Sequence, residues 1–100
     1  MATSTFEVVA TYTAIQGRVP EVLAGLKSLA EASRQEKGNL SYEYYQGVED
    51  PTKIVILESY RTALDFQAHR ESEHFQRLGV GAIIPLLEKR TVSTYEDMDD

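Results

Sequence analysis

Ile54-Val55-Ile56-Leu57 is the most restrictive stretch of this 100-residue chain. Four apolar residues in a row, continuing through Glu58 and Ser59 to Tyr60, read as a β-strand, and successive side chains of a strand point to opposite faces of its sheet. Ile54 and Ile56 therefore need cover on one side, and Val55 and Leu57 need it on the other. A chain this short builds one domain around one core. It cannot easily cover both faces of a sheet by itself.

The rest of the pattern shows what it does supply. Phe6 to Ala14 is rich in β-branched and aromatic residues and ends at the breaker Gln16-Gly17, which predicts a strand. Val19, Val22, Leu23, Leu26, Leu29 and Ala30 recur at helical spacing, with Pro20 and Glu21 suited to a first turn. Lys37-Gly38 is the expected end of that helix, with the glycine in a left-handed cap. Leu40 to Val48 alternates as a second strand, Glu49-Asp50-Pro51-Thr52 is a turn, and the third strand follows. Thr62-Ala63-Leu64-Asp65 reads as a capping box opening a short helix that ends at His69. A second helical start falls at Ser72, and Gly79, Gly81 and Pro85 predict a kink or break beyond it. Thr91 to Tyr95 is the last strand.

The order β-α-β-β-α-β predicts an α+β, ferredoxin-like fold: a four-stranded antiparallel sheet with helices on one face. The domain is expected over residues 6–95, and residues 96–100, four of them acidic, as a disordered tail. With helices on one face only, the other face would be polar if it met water. Ile54 and Ile56 on one side against Val55 and Leu57 on the other, with Tyr42 and Tyr44 opposing Tyr45, make both faces apolar, so a homodimer packed sheet to sheet is expected, gaining roughly 25 cal/mol per Å² of apolar surface buried.

Composition removes several functional classes. Without cysteine there is no disulfide framework, thiolate metal site or cysteine nucleophile. A net charge of −6 repels phosphate backbones and anionic lipid, so neither nucleic acid nor membrane is an expected partner. No apolar run approaches the ~20 residues of a membrane span. Met-Ala-Thr-Ser-Thr lacks the features of a secretory signal, which makes the cytoplasm the expected location. Gly-rich phosphate loops, a Gly-x-Ser-x-Gly elbow and a dinucleotide fingerprint are absent, and no bound cofactor is expected.

What remains for chemistry is a small polar set: Glu58, Tyr60, His69 and His74. Glu58 alternates onto the face of Ile54 and Ile56, where burial without a partner would raise its pKa; alternatively it is a strand-end glutamate in solvent. His69 closes one helix and His74 opens the next. Each has an ordinary structural explanation, as a helix-end histidine meeting carbonyls or as a surface residue. A zinc site of Glu58, His69 and His74 is conceivable, but no His-Glu-x-x-His pair is present and no metal is expected. The six tyrosines all fall on predicted strands, mostly as structural residues, with one or two available to line a pocket.

Gly38-Asn39-Leu40-Ser41-Tyr42-Glu43, Asp50-Pro51, Ile56-Leu57-Glu58-Ser59-Tyr60, Ala63 to His69 and Ser72-Glu73-His74-Phe75 together resemble the antibiotic biosynthesis monooxygenase domain, over Val8 to Tyr95. The resemblance implies a dimeric α/β barrel with one pocket per subunit between sheet and helices. It also implies oxygenation of a small aromatic quinol or phenol by dioxygen without metal or flavin. It makes His69 the acid or base, Glu58 its orienting partner, His74 a contact at the pocket mouth, and Tyr60, Phe66 and Tyr44 pocket residues. Such chemistry needs a base for a phenol of pKa about 10, and a histidine oriented by a carboxylate is suitable. Haem-degrading relatives carry a tryptophan that this chain lacks. A similar-looking isomerase of a phosphorylated autoinducer-2 shares both histidines, and a non-catalytic dimeric binder of small molecules is the alternative outside enzymes.

Overall fold

A computed structural model describes residues 4–98. The elements are β1 (Ser4–Ala14), α1 (Val19–Ser33), β2 (Asn39–Gln46), β3 (Lys53–Tyr60) and α2 (Ala63–Glu71). A π-type helix, α3 (Phe75–Ile83), follows, then a 3-10 turn (Ile84–Leu86) and β4 (Leu87–Met98). The strands form one antiparallel sheet in the order β2-β3-β1-β4. This is the expected α+β, ferredoxin-like arrangement; within one chain the sheet stays open and does not close into a barrel.

Alternation along β1 and β3 decides which side faces the helices. Val8, Ala10, Tyr12 and Ala14 are buried with Ile54, Ile56, Glu58 and Tyr60, and Val22, Leu26, Leu29 and Ala30 of α1 pack onto them. Tyr42 of β2 joins this core. The other face of the sheet is not covered: Leu57, Tyr45 and Tyr95 are 41%, 57% and 56% exposed.

Four local expectations change. First, α1 ends at Ser33 instead of Lys37, because Gln35 and Glu36 donate their N–H groups back to Ala32 and Ser33 in tight turns. Gly38 is not in the left-handed region, which among the described residues holds Gly17 at φ 87°. Gly38 is needed for close approach instead: a Cβ there would overlap the Asp65 carboxyl group. Second, the α2 cap forms, with Thr62 Oγ1 accepting the Asp65 N–H at 3.2 Å. The Asp65 carboxylate, however, accepts from the Thr62 hydroxyl and Arg61 rather than from the Thr62 backbone. Third, Gly79 and Gly81 do not break the helix but lie within α3, and the break comes at Pro85 in the 3-10 turn. Fourth, β4 is longer than expected at both ends. Its pairing with β1 runs from Leu87 opposite Ala14 to Met98 opposite Ser4. Residues 96–98 of the expected tail are therefore ladder residues, while Asp99 and Asp100 lie outside the described residues.

Candidate active site

The site begins in the turn after α1. Glu36 donates its backbone N–H to Ser33 (3.0 Å) and accepts from Asn39 N–H (3.2 Å), which fixes the direction of its side chain. Arg34 locks the same segment to β2 through two hydrogen bonds to the Tyr42 carbonyl, at 3.0 and 2.6 Å. Across from it, α2 ends at Ser72, whose hydroxyl donates to the His69 carbonyl (2.6 Å) and accepts the Phe75 N–H (3.2 Å). One serine thus terminates α2 and starts the next helical segment, and the two histidines on either side turn toward Glu36.

His69 Nδ1 lies 2.7 Å from Glu36 Oε2, and His74 Nε2 lies 2.5 Å from the same oxygen. A carboxylate oxygen accepts, so the network assigns the proton to Nδ1 of His69 and to Nε2 of His74. His69 Nε2 is left with its lone pair, 3.7 Å from Glu58 Oε1. Only 2% of His69 is exposed. Its ring is enclosed by Tyr42, Tyr60, Phe66 and Phe75, with centroids 5.1 to 6.1 Å away.

Glu58 is buried and accepts the Tyr60 hydroxyl proton at 2.7 Å. Burial raises its pKa above the usual carboxylate range, and the Tyr60 hydrogen bond and the nearby His69 oppose the rise only in part. The Tyr60 hydroxyl is itself held far above the ordinary tyrosine value by burial and by the Glu58 charge. Burial, with Glu58 adding to it, does the same to Tyr42. Both phenols therefore stay protonated, and Tyr60 donates its proton in the hydrogen bond to Glu58.

A pocket of about 240 Å³ opens beside this group, lined by Val8, Ala10, Tyr12, Tyr42, Glu58 and His69 on its inner side. It joins a wider groove of about 750 Å³ through Phe66, Arg70, Phe75, Arg90 and Thr94, which line both.

Of the residues expected from sequence, His69, Glu58 and Phe66 line the pocket. Tyr60 does not, because it stands behind Glu58 as its donor. His74 is not at the mouth but on the far side of His69, bonded to Glu36. Tyr44 lies half-buried against the main core, away from both cavities. The partner that orients His69 is Glu36, not Glu58. Glu36 gives no periodicity signal, but a carboxylate just past a helix carboxyl terminus, where the dipole favours a cation, is a local mismatch that marks it. Arg90 was hidden by the underestimated length of β4; extending the strand places it opposite Tyr12.

Glu36, His69 and His74 have donor atoms within 4.8 Å of one another and could hold a divalent ion, unlike the set containing Glu58. Binding there would require both imidazoles to give up their hydrogen bonds to Glu36 Oε2. The other oxygen of Glu36 is buried without a hydrogen-bond partner.

The model of the family described as antibiotic biosynthesis monooxygenase matches residues 5–78. Among curated proteins, "Putative monooxygenase YcnE" of Bacillus subtilis (strain 168) is 34% identical over 56 residues, covering 56% of this chain and 59% of YcnE. The chain thus matches about three fifths of that relative's length. Protein SO0527 of Shewanella oneidensis superposes with a TM-score of 0.89 at 22% identity, covering 98% of this chain and 95% of its own. PA3566 of Pseudomonas aeruginosa gives 0.85 at 27%, covering 93% of both. A crystal structure of an antibiotic biosynthesis monooxygenase gives 0.79 at 25%, covering 95% and 96%. With three quarters of its length inside the family model and the family's fold around a pocket between sheet and helices, the chain belongs to the antibiotic biosynthesis monooxygenase family.

Proposed function

We propose that the chain is a cofactor-independent monooxygenase of a small aromatic quinol or phenol, working as a cytoplasmic homodimer. The observation that carries this reading is the orientation of His69. Its Nδ1–H is fixed on Glu36, and its basic Nε2 is turned toward the Glu58 side of a pocket of about 240 Å³. A histidine held in this tautomer can take the proton of a phenolic hydroxyl, and the imidazolium so formed lies between two carboxyl groups. The phenolate then reduces dioxygen directly. One oxygen atom enters a ring carbon and the other leaves as water, so that a quinol becomes a hydroxyquinone and supplies all four electrons and both protons. Val8, Ala10, Phe66, Phe75 and Val92 keep the reacting pair away from water. For assembly, the apolar side chains on the uncovered face of β2, β3 and β4 support a second copy packed sheet to sheet.

The test is oxygen uptake during aerobic incubation with a panel of quinols and anthrone-like phenols. His69→Ala is expected to lower turnover by roughly 10² to 10⁴ while melting as a folded protein. Glu36→Gln should damage the same step, and the double variant should be little worse than the worse single one, since residues acting as a unit are not additive. Full turnover in folded His69→Ala on an accepted substrate would return the chain to the role of a binding module.

A further inference from the structure

Six arginines occur in the sequence, and four of them pair with carboxylates: Arg18 with Glu21, Arg34 with Glu43, Arg61 with Asp65 and Arg77 with Glu73. Arg70 on α2 and Arg90 on β4 have no such partner within 4 Å among the described residues. These two also stand at the neck where the outer groove meets the inner pocket. In a chain of net charge −6, two unpaired cations at one opening run against the overall sign.

We propose that the pocket accepts a small aromatic acid, its ring carboxylate held at the neck by Arg70 and Arg90 and its ring hydroxyl directed inward to His69. The proposal rests on the pocket around His69 being the reaction site. Arg70 is braced for the task, its guanidinium carbon 5.8 Å from the centroid of the Phe66 ring that forms the same wall. Arg90 lies opposite Tyr12 in the ladder and acts on the interior: burial raises the Tyr12 and Glu58 pKa values, and Arg90 opposes the first by hydrogen bonding and charge and the second by charge. The remaining neck residues, Phe66, Phe75 and Thr94, carry no negative charge. Glu71 lines the outer groove only, and its carboxylate accepts from Gln67 at 3.2 Å. An anion is therefore attracted to the neck itself. Guanidinium groups suit a carboxylate because their N–H donors are planar and always charged.

Calorimetry under nitrogen with gentisate and with hydroquinone, which is the same ring without the carboxylate, tests this directly. Gentisate should bind about tenfold or more tightly than hydroquinone, as expected for charge-assisted hydrogen bonds. Added salt should weaken gentisate selectively. Arg70→Gln and Arg90→Gln should each reduce the preference, and the double variant should abolish it, the loss falling on gentisate. Equal or tighter binding of hydroquinone, binding of neither probe, or a double variant that keeps the preference overturns the proposal. Oxygen uptake measured separately distinguishes the two readings. A carboxylate preference without oxygen consumption removes the monooxygenase and leaves the anion neck; consumption confined to uncharged quinols does the reverse.

Discussion

Glu58 brings a carboxyl group to a buried position on the inner wall of the pocket, beside the apolar sheet face. Burial raises its pKa, so the folded protein binds this proton more tightly than the unfolded chain does. Its stabilising share is full below the unfolded carboxylate pKa of about 4.3 and is lost as pH rises through the higher folded value. Glu58→Gln keeps the neutral form at every pH while its side-chain carbonyl still accepts from Tyr60. Thermal melts from pH 4 to pH 8 are therefore expected to show the variant gaining on the wild type as pH rises. A constant difference across that range would mean that Glu58 is solvated.

At the scale of elements, α2 is the arm that carries His69, and it is fixed at its start by Thr62, Asp65 and Arg61. Gly38 lies against this cap, and its carbonyl accepts the Arg61 N–H at 3.0 Å. Gly38→Ala pushes a methyl group into the Asp65 carboxyl and is expected to cost about 1–3 kcal/mol, a fall in melting temperature of at least about 4 °C. In the Gly38→Ala background, Asp65→Gly should cost less than it does alone, because it removes all three side-chain atoms that the new methyl group would meet. Equal costs in the two backgrounds would show that the contact relaxes freely. The elements themselves were legible wherever a period was kept, as in β1, α1 and β3. The ends of β4 were not, because Lys89, Arg90 and Glu96 look like loop or tail until the register of β1 recruits them. Such pairing depends on residues some eighty positions away and leaves no local pattern. Glu36 was missed for a similar reason: its role is set by two histidines distant in the chain, not by its neighbours.

As a whole molecule the protein is a slab of 48 × 30 × 18 Å, one layer of helices on one sheet. Among the described residues no helix is long and apolar enough to cross a membrane. The two-sided apolar pattern of β3, read in the sequence, is present in the structure: Ile54 and Ile56 are fully buried and Leu57 is left on the open face. If a second copy covers that face, sedimentation at micromolar concentration gives a particle of twice 11.2 kDa. Leu57→Lys should then shift it to the monomer mass without unfolding the chain, since its neighbours in the core are on the other side of the sheet. An 11 kDa wild-type particle would remove the dimer.

α3 sets a different kind of limit on the molecule. Its buried residues, Phe75, Gly79 and Ile83, are spaced by four. A spacing of four lies between the 3.6-residue α turn and the wider π turn, so the three stay on one face of the segment only while the residue count between them is kept. The segment is thus set by phase as well as by composition. Homologues can exchange Gln76, Arg77 or Ala82, all exposed, but loss of one residue from 75–83 would rotate Ile83 off α1 and shift Val80 and Ile84 out of the groove wall. Length variation among relatives should accumulate in the exposed turn at 48–52, where no helical phase has to be preserved.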